Sequence, residues 1–261
     1  MTTAQLRQDG PAVPVRQTMN KVPQVTAVFW IIKVLTTGMG ETASDFLAHV
    51  MDPMIAVALG ALGLVISLAV QFRLDRYVAW VYWTTVVMVS VFGTMAADVL
   101  HVGLGVPYTE ATPVFVLALA VILGAWYATE RTLSVHSINT RRREAFYWAT
   151  VLATFALGTA AGDLTATNLG LGYLASGLVF TALIAVPALA HSRLGLGAVA
   201  AFWSAYVLTR PLGASFADWM AVSRARGGLG LGLGPVTLGW TLVILALVAY
   251  LTATTRRAIE A

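Results

Sequence analysis

Residues 29–45 read FWIIKVLTTGMGETASD: an aromatic pair ending in Trp30, a glycine ten residues later at Gly40 and an aspartate fifteen later at Asp45. The same spacing returns at Tyr82-Trp83, Gly93 and Asp98, at Tyr147-Trp148, Gly158 and Asp163, and at Phe202-Trp203, Gly213 and Asp218. Recurrence at a fixed interval marks an architecture built by repetition. The chain has only 12 acidic residues among 261, so chance is a poor explanation for four aspartates in one register.

Around each motif the chain is apolar. Hydrophobic residues make up 58%, charged residues 11%, and mean hydropathy is +0.79. A soluble domain carries about a quarter of its residues charged, so this composition belongs in lipid. Eight apolar segments stand out, at 24–49, 53–72, 77–101, 111–129, 145–168, 172–190, 198–221 and 235–254. Each approaches the roughly 20 residues that carry a helix across a bilayer, and helices satisfy their backbone groups internally there. The expected fold is an all-α membrane protein of eight transmembrane helices. They form four parallel two-helix repeats around a pseudo-symmetry axis along the membrane normal, with the motif helices at the centre. Residues 1–22 read as a polar tail, 23–129 as repeats one and two, 130–144 as a basic linker, 145–254 as repeats three and four, and 255–261 as a second tail.

The formal charge of +4 does not point to nucleic acid, because the basic residues lie between apolar spans. Arg7, Arg16, Lys21, Arg73, Arg76, Arg131, Arg141, Arg142, Arg143, Arg193, Arg256 and Arg257 fall on the side of the N-terminus, and only Arg224 and Arg226 fall opposite. Positive charge stays in the cytoplasm, so both termini are expected there, in a multi-pass protein of a bacterial inner membrane. Thr26 to Leu35 continues into a long span without a small-residue cleavage site, and reads as a retained helix. The chain has no cysteine, which excludes disulfides and thiolate chemistry.

The segments Lys21-Val22-Pro23, Gly40-Glu41-Thr42, Ala156-Leu157-Gly158 with Gly162-Asp163, and Thr209-Arg210-Pro211-Leu212-Gly213 join the four motifs in a broader pattern. From Lys21 to about Leu251 the chain resembles bacterial multi-pass membrane proteins made of four tandem two-span repeats of unknown function, each carrying a tryptophan. The resemblance implies fold and topology, and no activity.

Fifteen helical residues rise about 22 Å. With Trp30, Trp83, Trp148 and Trp203 near one face of the membrane, the four aspartates fall in its opposite half. The tryptophans read as helix-packing or interface anchors, and Gly40, Gly93, Gly158 and Gly213 as points of close helix approach. The aspartates are different, because an ionisable residue within a span is costly and faces a bundle interior or an aqueous cavity. Each copy varies around its aspartate. Copy one aligns Lys33, Thr37, Glu41 and Asp45 at four-residue steps on one helix face. Copies two and three put Thr94 and Thr159 where Glu41 stands, and copy four puts Arg210 at the Thr37 position.

Within the spans, Glu41, Asp45, Asp98, Asp163 and Asp218 outnumber Lys33 and Arg210. Such an excess must be met by protons, cations or water. The expected site therefore comprises those five carboxylates with Thr94 and Thr159 as ion-binding groups, and Lys33 and Arg210 as charge-balancing ones. His49, four residues after Asp45, and His101, three after Asp98, offer imidazole beside carboxylate and suit a divalent metal. The run Gly227-Gly228-Leu229-Gly230-Leu231-Gly232-Leu233-Gly234 lacks the ending of a phosphate loop and reads as a flexible outer loop. The expected function is transport of a small cation, a divalent metal ion first, with proton coupling, and no resident cofactor. The expected partners are the lipid bilayer and that cation, and a homo-oligomer is compatible with them. The alternatives are an intramembrane enzyme using paired aspartates and a non-transporting scaffold or sensor.

Overall fold

The computed structural model of the protein describes residues 20–260, with side chains through Thr254. The tail charges Arg7, Arg16, Arg256 and Arg257 lie outside the described side chains. Eight long helices follow one another: α1 (Ala27–Val50), α2 (Pro53–Arg73), α3 (Ala79–Asp98), α4 (Tyr108–Glu130), α5 (Arg141–Asp163), α6 (Gly172–Leu194), α7 (Ala198–Ala221) and α8 (Leu233–Glu260). There is no strand among the described residues. Helices α2, α3, α4, α5, α6 and α8 are long and apolar enough to cross a membrane. The other two long helices are those that carry Lys33, Glu41 and Asp45, and Arg210 and Asp218.

Local chemistry sets several boundaries. The Thr26 hydroxyl accepts from the Phe29 amide at 3.3 Å and starts α1. Asp52 accepts from the Met54 and Ile55 amides ahead of Pro53, which orders an N-terminus whose first amides have no helical partner. Thr140 caps α5 in the same way, and so the helix begins at Arg141, inside the stretch 130–144 read as a linker. Arg142 and Arg143 then pair with Glu130 at the end of α4, the latter at 2.7 Å. Short π-helical turns, Val99–Gly103 and Leu164–Asn168, prolong α3 and α5 past their aspartates.

Packing follows a rule that adjacency in sequence does not suggest. The odd helices form a closed cycle in which α1 contacts α3 and α7, and α5 contacts α3 and α7. Each even helix packs chiefly on the odd helix that follows it: α2 on α3, α4 on α5 and α6 on α7. Helix α8 returns to α1 and closes the set. Within a repeat the two helices scarcely touch; α1 and α2 make far less contact than α2 and α3. The outer helices present rows of apolar side chains, such as Leu59, Leu62, Val65 and Ile66 on α2, to the surroundings. Hydrocarbon is the environment in which such rows cost nothing.

The glycine run is an ordered cap and not a free loop. Leu229, Gly230, Leu231 and Gly232 donate their amides to the carbonyls of Trp219, Val222, Met220 and Ala221, at 2.7 to 3.1 Å. These are the last carbonyls of α7, which lack helical partners. A side chain at Gly228 would sit 2.9 Å from the Trp219 carbonyl oxygen, and closer still to that of Val222. The small residue lets the strap lie flat on the helix end.

At the opposite end the segment before α1 is tied down. Lys21 is buried and its Nζ meets Glu144 at 2.6 Å. Gln71 donates to the other Glu144 oxygen at 3.0 Å, and the Lys21 amide donates to the Ile138 carbonyl at 2.9 Å. Lys21, counted above among the topology-setting charges, is therefore an interior partner that joins the start of α1 to α2 and α5.

Candidate functional site

The register of the odd helices places equivalent motif positions at equivalent heights around the cycle. At the Trp end the aromatic pairs interlock. Within each pair the rings meet edge to face at 5.1 or 5.2 Å. Between pairs, the first ring of one repeat meets the tryptophan of the next: Phe29 with Trp83 at 5.6 Å, Tyr82 with Trp148 at 5.5 Å, Tyr147 with Trp203 at 6.1 Å, and Phe202 with Trp30 at 5.6 Å. The result is a closed belt of eight rings, most of them buried, in separations that favour aromatic pairs.

The motif glycines work in the same cyclic sense. Each admits the side chain that stands seven residues after the next repeat's tryptophan. A Cβ at Gly93 would lie 2.7 Å from Phe155 Cβ. One at Gly40 would collide with Ser90, one at Gly158 with Arg210, and one at Gly213 with Thr37. The spacing of tryptophan to glycine is thus the spacing between the belt and a ring of sockets, and small residues permit the close approach.

Through the Gly158 socket Arg210 reaches the axis of the cycle. It is fully buried. Its Nη2 donates to Glu41, to Thr94 and, at 2.7 Å, to Thr159; its Nη1 donates to the Thr37 carbonyl at 3.3 Å. Glu41, Thr94 and Thr159 share one motif position, eleven after the tryptophan, so one guanidinium is held by the other three repeats at once. Thr94 also donates to Glu41 at 3.4 Å. The sequence shows a buried acidic surplus; the structure neutralises one member of it with Arg210. The cue available in the sequence is that Arg210 stands one helical turn before the position that Glu41, Thr94 and Thr159 occupy.

Beyond this layer lie the aspartates. Carboxyl oxygens of Glu41, Asp45 and Asp218 lie within 4.8 Å of one another. Asp218 is nearly buried, and Asp45, Asp98 and Asp163 are half-buried. Asp98 is within electrostatic reach of Glu41, Asp45 and Asp163, and Asp163 of Glu41 and Asp45. Each of the four motif aspartates is thus within electrostatic reach of Glu41, and Tyr108 meets Asp163.

The histidines border this group: His49 lies within electrostatic reach of Asp45, and His101 packs on Tyr108. His49 turns its Nδ1 to the Asp45 carbonyl at 2.7 Å and is exposed. His101 turns its Nδ1 to the Val106 carbonyl at 2.8 Å and stacks on Tyr108 at 3.6 Å. In both histidines, expected to pair with Asp45 and Asp98 around a metal, the backbone carbonyl engages Nδ1 and leaves Nε2 without a contact of this kind among the described residues. Lys33 lies apart from the carboxylates. Its Nζ sits over the Phe155 and Tyr206 rings, at 4.0 and 4.2 Å. Two apolar cavities, one lined by Trp30, Ile184 and Phe202 and one by Leu35, Pro235 and Trp240, lie away from all these charged groups.

Fold and site together define an all-helical, repeat-built bundle with membrane-length apolar helices and a polar centre. Four matches to the Repeat of Unknown Function (DUF347), at residues 28–77, 81–132, 146–195 and 201–257, cover most of the chain, which belongs to that family. No curated protein and no solved structure matches the chain.

Proposed function

We propose that the protein is a membrane carrier of a small cation, with a hard divalent ion such as Mn²⁺ or Mg²⁺ as its first candidate. All eight long helices cross a bacterial inner membrane, both termini are cytoplasmic, and the four repeats are related by an axis along the membrane normal. The observation that carries the reading is the approach of Glu41, Asp45 and Asp218 oxygens to within 4.8 Å, where Arg210 is the hydrogen-bonded cation beside them among the described residues. Three carboxylates from two helices, with two further aspartates alongside, attract a divalent ion in a setting where charge is costly. An oxygen-only donor set suits Mn²⁺, Mg²⁺ or Ca²⁺ better than Zn²⁺. Arg210 is the internal competitor: an arriving ion takes Glu41 from it, and the guanidinium restores neutrality when the ion leaves. Thr94 and Thr159 hold Arg210 in that interval. Protonation of the half-buried aspartates supplies coupling to protons.

The test is Mn²⁺ entry into proteoliposomes containing the purified full-length chain. Wild type is expected to take up Mn²⁺ saturably, with at least tenfold loss in Asp45→Asn and in Asp218→Asn. Uptake in both variants equal to wild type overturns the assignment of the ion to this group.

A further inference from the structure

Lys33 has no assigned task once the carboxylates and Arg210 are accounted for, and its setting is unusual. The side chain is 1% exposed, and its Nζ makes no hydrogen bond and no ion pair. A buried ammonium ordinarily sits against a carboxylate. Here the carboxylates lie beyond the Arg210 layer, and Glu41 is already engaged by Arg210.

What Lys33 has instead is aromatic. The Phe155 ring lies 4.0 Å from its Nζ and 5.7 Å from the Arg210 guanidinium carbon, and the Tyr206 ring lies 4.2 Å from Nζ. Cations bind ring faces at such distances, most strongly when shielded from water.

The repeat supplies its own control. Three residues after the tryptophan stand Lys33, Val86, Val151 and Tyr206; seven after it stand Thr37, Ser90, Phe155 and Arg210. Valine fills two of the first set and a small hydroxyl residue two of the second. Repeat one departs with a lysine, repeat three with a phenylalanine and repeat four with both a tyrosine and Arg210. These four departures, from three different helices, gather around the Phe155 ring and the Lys33 ammonium. Packing alone is met by the residues of the other copies, so the convergence calls for a cation in a ring-lined seat.

We infer that Phe155 and Tyr206 form a seat for an ammonium below the carboxyl layer, and that Lys33 occupies it as a tethered plug. This rests on the carrier reading. A cation that has passed the aspartates and Arg210 meets a ring-lined seat already holding a charge of its own sign, and beneath it the closed aromatic belt. Passage toward the Trp end requires Lys33 to leave the seat. The plug therefore sets the coupling: it prevents the carboxyl chamber from opening to both ends at once.

The experiment is Mn²⁺ entry into proteoliposomes loaded with a metal-sensing dye, using full-length wild type, Lys33→Met, Lys33→Arg and Phe155→Leu. Wild type is expected to show slow, saturable entry. Lys33→Met is expected to enter at least tenfold faster and without saturation, and Phe155→Leu to change in the same direction. Lys33→Arg, which keeps a cation in the seat, is expected to stay within twofold of wild type. If Lys33→Met fails to elute as a folded species, Phe155→Leu carries the decision. No entry through wild type overturns the carrier reading and the plug with it. Saturable wild-type entry with Lys33→Met and Phe155→Leu unchanged or slowed overturns the plug alone.

Discussion

The two ends of the inner ring were made by the same duplication and solve opposite problems. At the Trp end, four copies of an aromatic pair interlock into a belt in which each ring satisfies its neighbour. At the Asp end, four copies of a carboxylate lie within electrostatic reach of Glu41 and cannot satisfy one another. Repetition of an apolar group is self-complementary, whereas repetition of a charge is self-repelling. The layer between the ends is where the copies diverge, into Glu41, Arg210 and Lys33, because identical residues there would leave the repulsion unanswered. The comparison teaches that a duplicated helix must vary where it carries charge and can stay constant where it carries rings and sockets.

The variants that break this contrast should differ in cost. The largest effect is expected at the Arg210–Glu41 pair. Removing one partner leaves an uncompensated buried charge, worth about 3–5 kcal/mol, so Glu41→Gln or Arg210→Met should sharply lower the thermal midpoint in detergent. The double variant should recover much of the loss, and absence of recovery would show that the two residues act independently. Next come the sockets. Gly213→Ala places a methyl 2.7 Å from the Val34 carbonyl oxygen, an overpacking of about 1–3 kcal/mol, whereas Gly124, with nothing within 4 Å, accepts alanine with no comparable loss. Equal midpoints for the two would remove the socket argument.

A smaller and differently signed effect is expected at the Asp end. Asp98→Asn and Asp163→Asn each relieve repulsion among carboxylates, so the midpoint should hold or rise while Mn²⁺ binding, read by calorimetry, weakens. A fall in stability in both would mean that these aspartates serve packing. The smallest effect belongs to Arg142→Ala. Its side chain is 67% exposed beside Glu130, a setting worth about 0–1 kcal/mol, and the midpoint should stay within a degree or two of wild type.

Much of this was legible in the sequence. The repeat, its phase and its aspartates follow from spacing alone, and helical character follows from composition. The reason for the aromatic pair was not legible, because a first ring that contacts the next copy's tryptophan is a relation between helices. Nor was the pairing of each even helix with the odd helix after it, since apolar periodicity on a lipid-facing helix is the same whichever neighbour it serves. Lys21 and Glu144 lie in polar stretches that look solvated; their burial depends on α2 supplying Gln71 beside them. Arg141 to Glu144 looked like linker because four charged residues open the segment, yet Thr140 caps them into helix. The glycine run looked mobile by composition, and its order comes from the free carbonyls at the end of α7.

The return of α8 to α1 has a consequence for biosynthesis. Helix α1 leaves the ribosome first, bearing Lys33, Glu41 and Asp45, but the helix that covers its outer side is made last. Translation from Val50 to Leu233, at about 5–20 residues per second, occupies tens of seconds. Throughout that time a helix with three charged residues in its interior lacks its own lid, and under the proposed eight-span topology its early residence in the bilayer depends on the insertion machinery or on the arriving α3. A chain halted before α8 would expose the flank of α1 that α8 normally covers, and would be a natural target for membrane quality control.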